Sequence, residues 1–226
     1  MNDVLRSLFF NISIKPLVRC GIVSLCVLLA YVEARSQRQL GDCTIYYSVT
    51  YQDKDSVLVN AFKTVYIHGG QVRTDFSYNT ANYLQTILQN TTTGYVNILK
   101  EIGPNKYKAI LDSSDWRIKN NMYQNATTVL DTESVVVILG YRCGKALLSL
   151  ENGSKYNVYY TLDVVPSAKE NKYQFKDIPG IVMRYESVDD SNADPIVIHA
   201  RSINLMPISE HLFHVPSRGY RILGAE

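Results

Sequence analysis

The residues with which this 226-residue chain could do chemistry are few: four histidines, four cysteines and one knot of acids. His211 and His214 stand three apart beside Glu210, which on a helix would turn all three to one side as a start toward a metal site. Pro207 and Pro216 bracket them and no Cys or further His lies near, so the pair reads as a surface feature. Asp189, Asp190, Asn192 and Asp194 are rich in oxygen, but the calcium loop they suggest needs a central Gly and a terminal Glu that are missing. They read as a solvated turn. His68 and His199 stand alone. There is no Gly-x-Ser-x-Gly elbow, no His-Glu-x-x-His and no phosphate-cradling glycine loop. No catalytic, metal or cofactor residue is assigned, and no cofactor is expected. Carboxylates brought together from separate strands remain the one form of acid–base site that such a scan leaves open.

What the cysteines do depends on the compartment, and the start of the chain speaks to that. Arg6, Lys15 and Arg19 precede an apolar run, Cys20 to Val32, followed by Ala34-Arg35-Ser36. A basic flank, a short apolar core and small residues at the −3 and −1 positions make a secretory signal peptide. The run is 13 residues long, whereas a spanning helix needs roughly 20. Residues 1–36 are therefore expected to be cleaved, leaving no transmembrane anchor and one β-rich domain, 37–226, in an extracytoplasmic space. Lipid anchoring is disfavoured because the candidate cysteines follow Arg19, Leu25 and Asp42 rather than a small residue. Cys43 and Cys143 survive cleavage. In an oxidising space they are expected to pair, closing a loop of about 100 residues and constraining the unfolded chain by roughly 4–5 kcal/mol; two unpaired thiols are the alternative.

Charge excludes one class of partner. Four bases and two acids fall in the signal, so the remaining domain carries nineteen of each. A neutral surface without clustered Lys and Arg does not track a phosphate backbone, and no nucleic-acid partner is expected.

The elements that must position any site read as strands. Seventeen Tyr against one Trp, with β-branched runs, favour sheet. Alternation places Ile45, Tyr47 and Val49 on one face of a strand over 44–51, and a Gly69-Gly70 hairpin joins strands ending at His68 and starting near Val72. Strands over 83–89, 95–101 and 106–111 continue an antiparallel meander. Residues 113–124 suit a short helix capped by Ser113 or Ser114, or an irregular loop; Trp116 within it reads as the plug of an open barrel or as a core anchor. Asn152-Gly153 turns a hairpin between 146–150 and 156–162. A polar loop over 166–171, a strand over 180–187, an acidic turn over 188–195 and a strand over 196–204 follow. The expected fold is mainly β: an antiparallel curved sheet, a half-barrel of 9–11 strands, with one short helix or plug segment.

Two blocks carry a likeness. Ile138-Leu139-Gly140-Tyr141-Arg142-Cys143-Gly144-Lys145-Ala146, then Tyr159-Tyr160-Thr161, then Asp177-Ile178-Pro179-Gly180-Ile181 resemble the GLPGLI family of bacterial envelope proteins, although that last turn departs from the namesake motif. The ending Leu212-Phe213-His214-Val215-Pro216-Ser217-Arg218-Gly219-Tyr220 is similar to tails of exported proteins in the wider lipoprotein-carrier group, with Arg218 inserted. The resemblance implies a periplasmic or outer-membrane-associated half-barrel whose concave side holds an apolar ligand, a lipid or acyl chain, or docks an envelope protein, without catalysis. A hydrolase of envelope lipid or glycan, and a structural subunit of an envelope assembly, are the competing readings.

Exported protein is expected to begin at Gln37. N-terminal sequencing that finds Met1, or an acylated cysteine, overturns this reading.

Overall fold

A computed structural model describes residues 38–51, 61–78, 82–189 and 192–223. They belong to one compact unit, Gln37–Glu226; residues 1–36, on which the signal-peptide expectation rests, lie outside the described residues. The alternating segments form strands in chain order: β1 (Arg38–Leu40), β2 (Asp42–Tyr51), β3 (Ala61–His68), β4 (Gln71–Tyr78), β5 (Tyr83–Asn90), β6 (Val96–Ile102) and β7 (Asn105–Leu111). After the helix α1 (Ser113–Lys119) come β8 (Thr127–Ile138), β9 (Tyr141–Ser149), β10 (Lys155–Thr161), β11 (Val164–Pro166), β12 (Ile181–Asp189), β13 (Asn192–Asn204) and β14 (Arg221–Ile222).

Twelve of these strands make one curved, open sheet in the order β14-β7-β6-β5-β4-β3-β2-β13-β12-β10-β9-β8, antiparallel throughout except at β14. β1 and β11 pair in parallel apart from it. The half-barrel expectation holds. The sheet has more strands than the nine to eleven expected, because β8 and the two-residue β14 carry no clear alternation. In β8 a bulge between Asp131 and Val135 interrupts the period of two.

Curvature brings distant strands around one inner core. Ile45, Tyr47 and Val49 of β2 pack with Val65 and Ile67 of β3 and, from the other half of the sheet, with Ala146, Leu148, Val158 and Tyr185. The outer face of β4 to β6 is covered by the chain's last segment, where Ile208, Leu212, Phe213 and Tyr220 pack on Leu88 and Leu99. Polar ties hold that strap: Arg73 donates to Leu212 O at 2.7 Å, Lys108 to Pro216 O at 3.1 Å and Tyr220 to Glu101 at 2.5 Å. Burial and the Glu101 carboxylate push the Tyr220 hydroxyl up to about 12. The tail that carried the likeness at 212–220 thus acts as packing for the outer face.

Local details correct the sequence reading of the helix. Asp112, not Ser113 or Ser114, caps α1: its carboxylate accepts from the backbone N–H of Ser114 and Asp115 at 2.7 and 2.9 Å, and Asp115 reaches back to Asp112 N–H. A charged acceptor one residue earlier satisfies two orphan donors at once. The helix stops at Asn120, and residues 121–123 form a separate 3-10 turn. Trp116 is a core anchor against Val96 and Ile98. Both glycine turns stand as expected, with Gly69 at φ +53° and Gly153 at φ +87°.

Gly180 is the position where glycine is obligatory. Its φ is +76° and a Cβ there would sit 1.9 Å from Thr161 O, so both conformation and close approach exclude a side chain. Gly180→Ala is expected to cost on the order of 2–4 kcal/mol in urea unfolding. Gly153→Ala, with open space around it, is expected to cost about 1–2 kcal/mol from its left-handed backbone alone. Equal losses at the two positions would contradict the contact at Thr161.

Cys43 and Cys143 both lie fully buried in the inner core and stand as free thiols in this structure. Burial pushes the Cys43 thiol up to about 12 and raises that of Cys143, so little of either is thiolate at neutral pH. In reduced native protein, alkylation of both is expected to be at least tenfold slower than in denaturant. Comparable rates would show that the sheet opens readily around them.

Candidate functional site: the inner face and its loop cover

Cross-strand pairing sorts the inner face into rungs. One rung runs Ile45, Val65, Thr74, Ile87, Ile98, Ala109 across β2 to β7, apolar except at Thr74. The next runs Tyr47, Lys63, Phe76, Gln85, Lys100, Tyr107 across the same strands and is aromatic and polar. The inner face is therefore amphipathic along the strand direction, with a greasy band beside a band of rings, amides and ammonium groups. Thr74 Oγ1 and Trp116 Nε1 are buried without a hydrogen-bond partner among the described residues.

The loop 167–180 covers the greasy band over β2 and β3. Phe175 and Ile178 enter the inner core, and Phe175 meets Tyr185 edge-on at 5.1 Å between ring centroids. The loop is tied down by polar contacts. Ser167 donates to Gly69 O at 2.6 Å, Gln89 donates to Glu170 O at 2.8 Å, and Asn171 donates to Asn120 at 3.0 Å. Lys169 folds back on the loop's own carbonyls, at Phe175 and Lys176, and burial holds its ammonium below the usual lysine range.

At the centre of this cover is a buried ion pair. Lys63 Nζ binds Glu170 Oε1 directly, with the two side chains only 6% and 14% exposed. The ammonium also donates to Tyr185 OH at 2.5 Å and lies 5.4 and 5.0 Å from the ring centres of Tyr47 and Tyr185. Tyr47 in turn donates to Val182 O at 2.8 Å. Desolvation, then the Glu170 charge, pushes both phenols well above their ordinary range, so both stay neutral here, Tyr47 donating to Val182 O and Tyr185 accepting from Lys63. Between loop and sheet remains a cavity of about 20 Å³ lined by Ile45, Tyr47, Ile67, Glu170, Phe175 and Ile178, room for about one water. The inner face is closed in this conformation, by this loop over β2 and β3 and by Trp116 over Ile87, Ile98 and Ala109 of β5 to β7.

Among the described residues, those singled out by type do not assemble into a reactive centre. His211 and His214 come together, 5.0 Å apart edge-on, at the exposed end of the tail. His68 binds Asp42 at 2.7 Å, approaches Glu210 at 3.8 Å and stacks on Phe213 at 5.8 Å, which fastens the tail to the β2–β3 hairpin. His199 is partly buried between Arg184 and Arg201, and desolvation followed by those charges lowers its pKa. Residues 190 and 191 of the acidic turn lie outside the described residues. Reading by residue type missed Lys63 and Glu170. The available signal was phase: Ala61, Lys63, Val65 and Ile67 share one face, and a lysine among three buried apolar residues needs a partner.

Neither the family models nor the curated proteins contain a match to this chain. Among solved structures, the chain is similar to an uncharacterised conserved protein from Thermus thermophilus, with 9% identity, 88% of this chain and 98% of that chain covered and a TM-score of 0.49. It is also similar to MucB, at 9% identity and a TM-score of 0.39, over 86% of this chain but 64% of that one. A LolA superfamily protein from Nitrosomonas europaea shares 9% identity over 77% of this chain and 90% of that chain, with a TM-score of 0.33.

Proposed function

We propose that this chain is a non-enzymatic, extracytoplasmic binding protein that holds an apolar ligand, a lipid or acyl chain, against the inner face of its half-barrel beneath the 167–180 loop. The observation that carries the reading is the nature of the cover. The apolar rung, packed over β5 to β7 by Trp116 of α1, is sealed over β2 and β3 by an irregular loop fixed through polar ties, where a helix or second sheet would seal it permanently. A loop opens at lower cost than a packed element. With Phe175 and Ile178 withdrawn, the cavity would extend along the greasy band, and the polar rung would lie beside the ligand's head. The titratable groups described at the loop, Lys63, Glu170 and Lys169, are engaged in fastening it, which favours binding over hydrolysis. The signal expected at residues 1–36 and the neutral domain fit delivery to the periplasm or outer membrane. A second reading, docking of an envelope protein, is favoured by a different observation: the exposed valines of β8.

The test is titration with a fluorescent fatty acid. Saturable binding is expected for the wild type, competed by unlabelled lipid extract. Glu170→Gln leaves the Lys63 ammonium buried without its counter-charge, so it is expected to loosen the loop, to strengthen uptake severalfold and to lower stability by about 3–5 kcal/mol. Replacing both partners, Lys63→Met with Glu170→Met, is expected to recover most of that stability. If neither the wild type nor Glu170→Gln takes up the probe saturably, ligand carriage fails and partner docking stands in its place.

A further inference from the structure

The two edges of the sheet are treated differently. At one end β7 is capped by the two-residue β14, which carries Arg221. A short, charged edge strand is a common means of blocking unwanted pairing. At the other end β8 is terminal and, among the described residues, has β9 as its one neighbour. Its second half reads Val135-Val136-Val137-Ile138, with no Lys, Pro or Gly, and Val137 is 69% exposed. Val135 and Val137 project to one side of the sheet and Val136 to the other, and all three are exposed. The edge is thus apolar on both faces and, among the described residues, has no strand paired along its outer rim.

The window has defined ends. On one side the bulge consumes the nearby donors, since Asp131 Oδ1 accepts from the N–H of both Glu133 and Ser134 at 3.0 Å. On the other the chain turns at Leu139 and Gly140, both at positive φ. Four residues remain between. A pairing confined to these four residues would bury far less than the roughly 1,200 Å² of a stable protein pair, which suits a short extended segment. Glu133 sits at the bulge end, exposed and without a side-chain partner among the described residues, and calls for a cation.

We propose that β8 is an acceptor edge for an extended segment of a partner protein, apolar and β-branched at alternate positions, with a Lys or Arg where it meets Glu133. The segment would add a thirteenth strand beside Val135–Ile138, main chain to main chain, with valine contacts on both faces setting its register. This deepens the docking reading. It uses a surface away from the loop, so the fatty-acid and peptide experiments can fail separately.

The probe is a fluorescein-labelled synthetic hexapeptide, alternating valine and threonine closed by one lysine, so that antiparallel addition sets the lysine at Glu133; it is read by anisotropy against the full-length protein. Saturable binding is expected, weaker by at least tenfold for the same peptide closed by glutamate and for the variant Val137→Lys, which places a charge on the rim. Glu133→Lys is expected to reverse the preference between the two peptides. That reversal also carries the test if Val137→Lys proves unfolded by circular dichroism. Absence of binding, equal binding of both peptides to the wild type, or an unchanged preference in Glu133→Lys overturns the proposal. So does sedimentation that finds the protein alone to be a dimer dispersed by Val137→Lys, because the edge would then belong to a second copy.

Discussion

A twelve-stranded sheet with two apolar faces must hide both, and among the described residues a single seven-residue α-helix is available to do it. That constraint organises the molecule. The outer face of β4 to β6 is hidden by the C-terminal strap, and the inner face by curvature, which lets β2 and β3 share a core with β9, β10 and β12. Where curvature leaves a gap, the 167–180 loop fills it. Loops and tails carry more unpaired backbone per residue than helices do, so each cover needs side-chain hydrogen bonds to settle on an apolar surface. Arg73, Lys108 and Tyr220 do this for the strap; Ser167, Gln89 and Lys63 do it for the loop.

The Lys63–Glu170 pair shows how the two needs interact. A buried ion pair gives little net stability compared with an apolar pair of the same shape, because both charges are desolvated. Its value lies in registry: a loop that must come to rest in one place can be positioned by a charge that is satisfied there and nowhere else nearby. Tyr185 and the two aromatic faces complete the ammonium's shell, so Lys63 is satisfied when the loop is down. The same arrangement makes the closed state sensitive to whatever competes for Lys63.

Much of the architecture was legible in the sequence, and the failures have physical causes. β2 to β7 announced themselves because each alternates cleanly and is bounded by Gly, Asn or Pro. The Asn152-Gly153 hairpin did so through turn chemistry. β8 stayed hidden because its bulge shifts the phase in mid-strand, and because a run such as Val135-Val136-Val137-Ile138 has no period at all. The cap of α1 was misplaced by one residue, since Asp112 and the two serines after it are all good capping types and only geometry separates them. The site was harder. Lys63 and Glu170 lie 107 residues apart, and no local pattern joins a strand lysine to a loop glutamate. What the sequence did offer, at 177–181, was a turn whose Gly180 proves indispensable for packing against Thr161. The GLPGLI likeness had drawn attention to that turn for another reason.

The place of β2 at the middle of the sheet bears on how the molecule comes into being. One of its neighbours, β3, follows it in sequence, but the other is β13, and their contact at Ser48 and His199 spans 151 residues. β2 is a seam between an early meander and a late one. The early meander, β2 to β7, can form as the chain lengthens, yet one rim of it stays bare until β13 arrives. Long-range closure of this kind is slow. The chain therefore passes through a half-sheet whose apolar inner side is uncovered, a state exposed to aggregation if it lingers. Closing the seam and laying down the 167–180 loop both wait on the last third of the sequence, so a chain cut short before β13 would leave the early meander with an uncovered core.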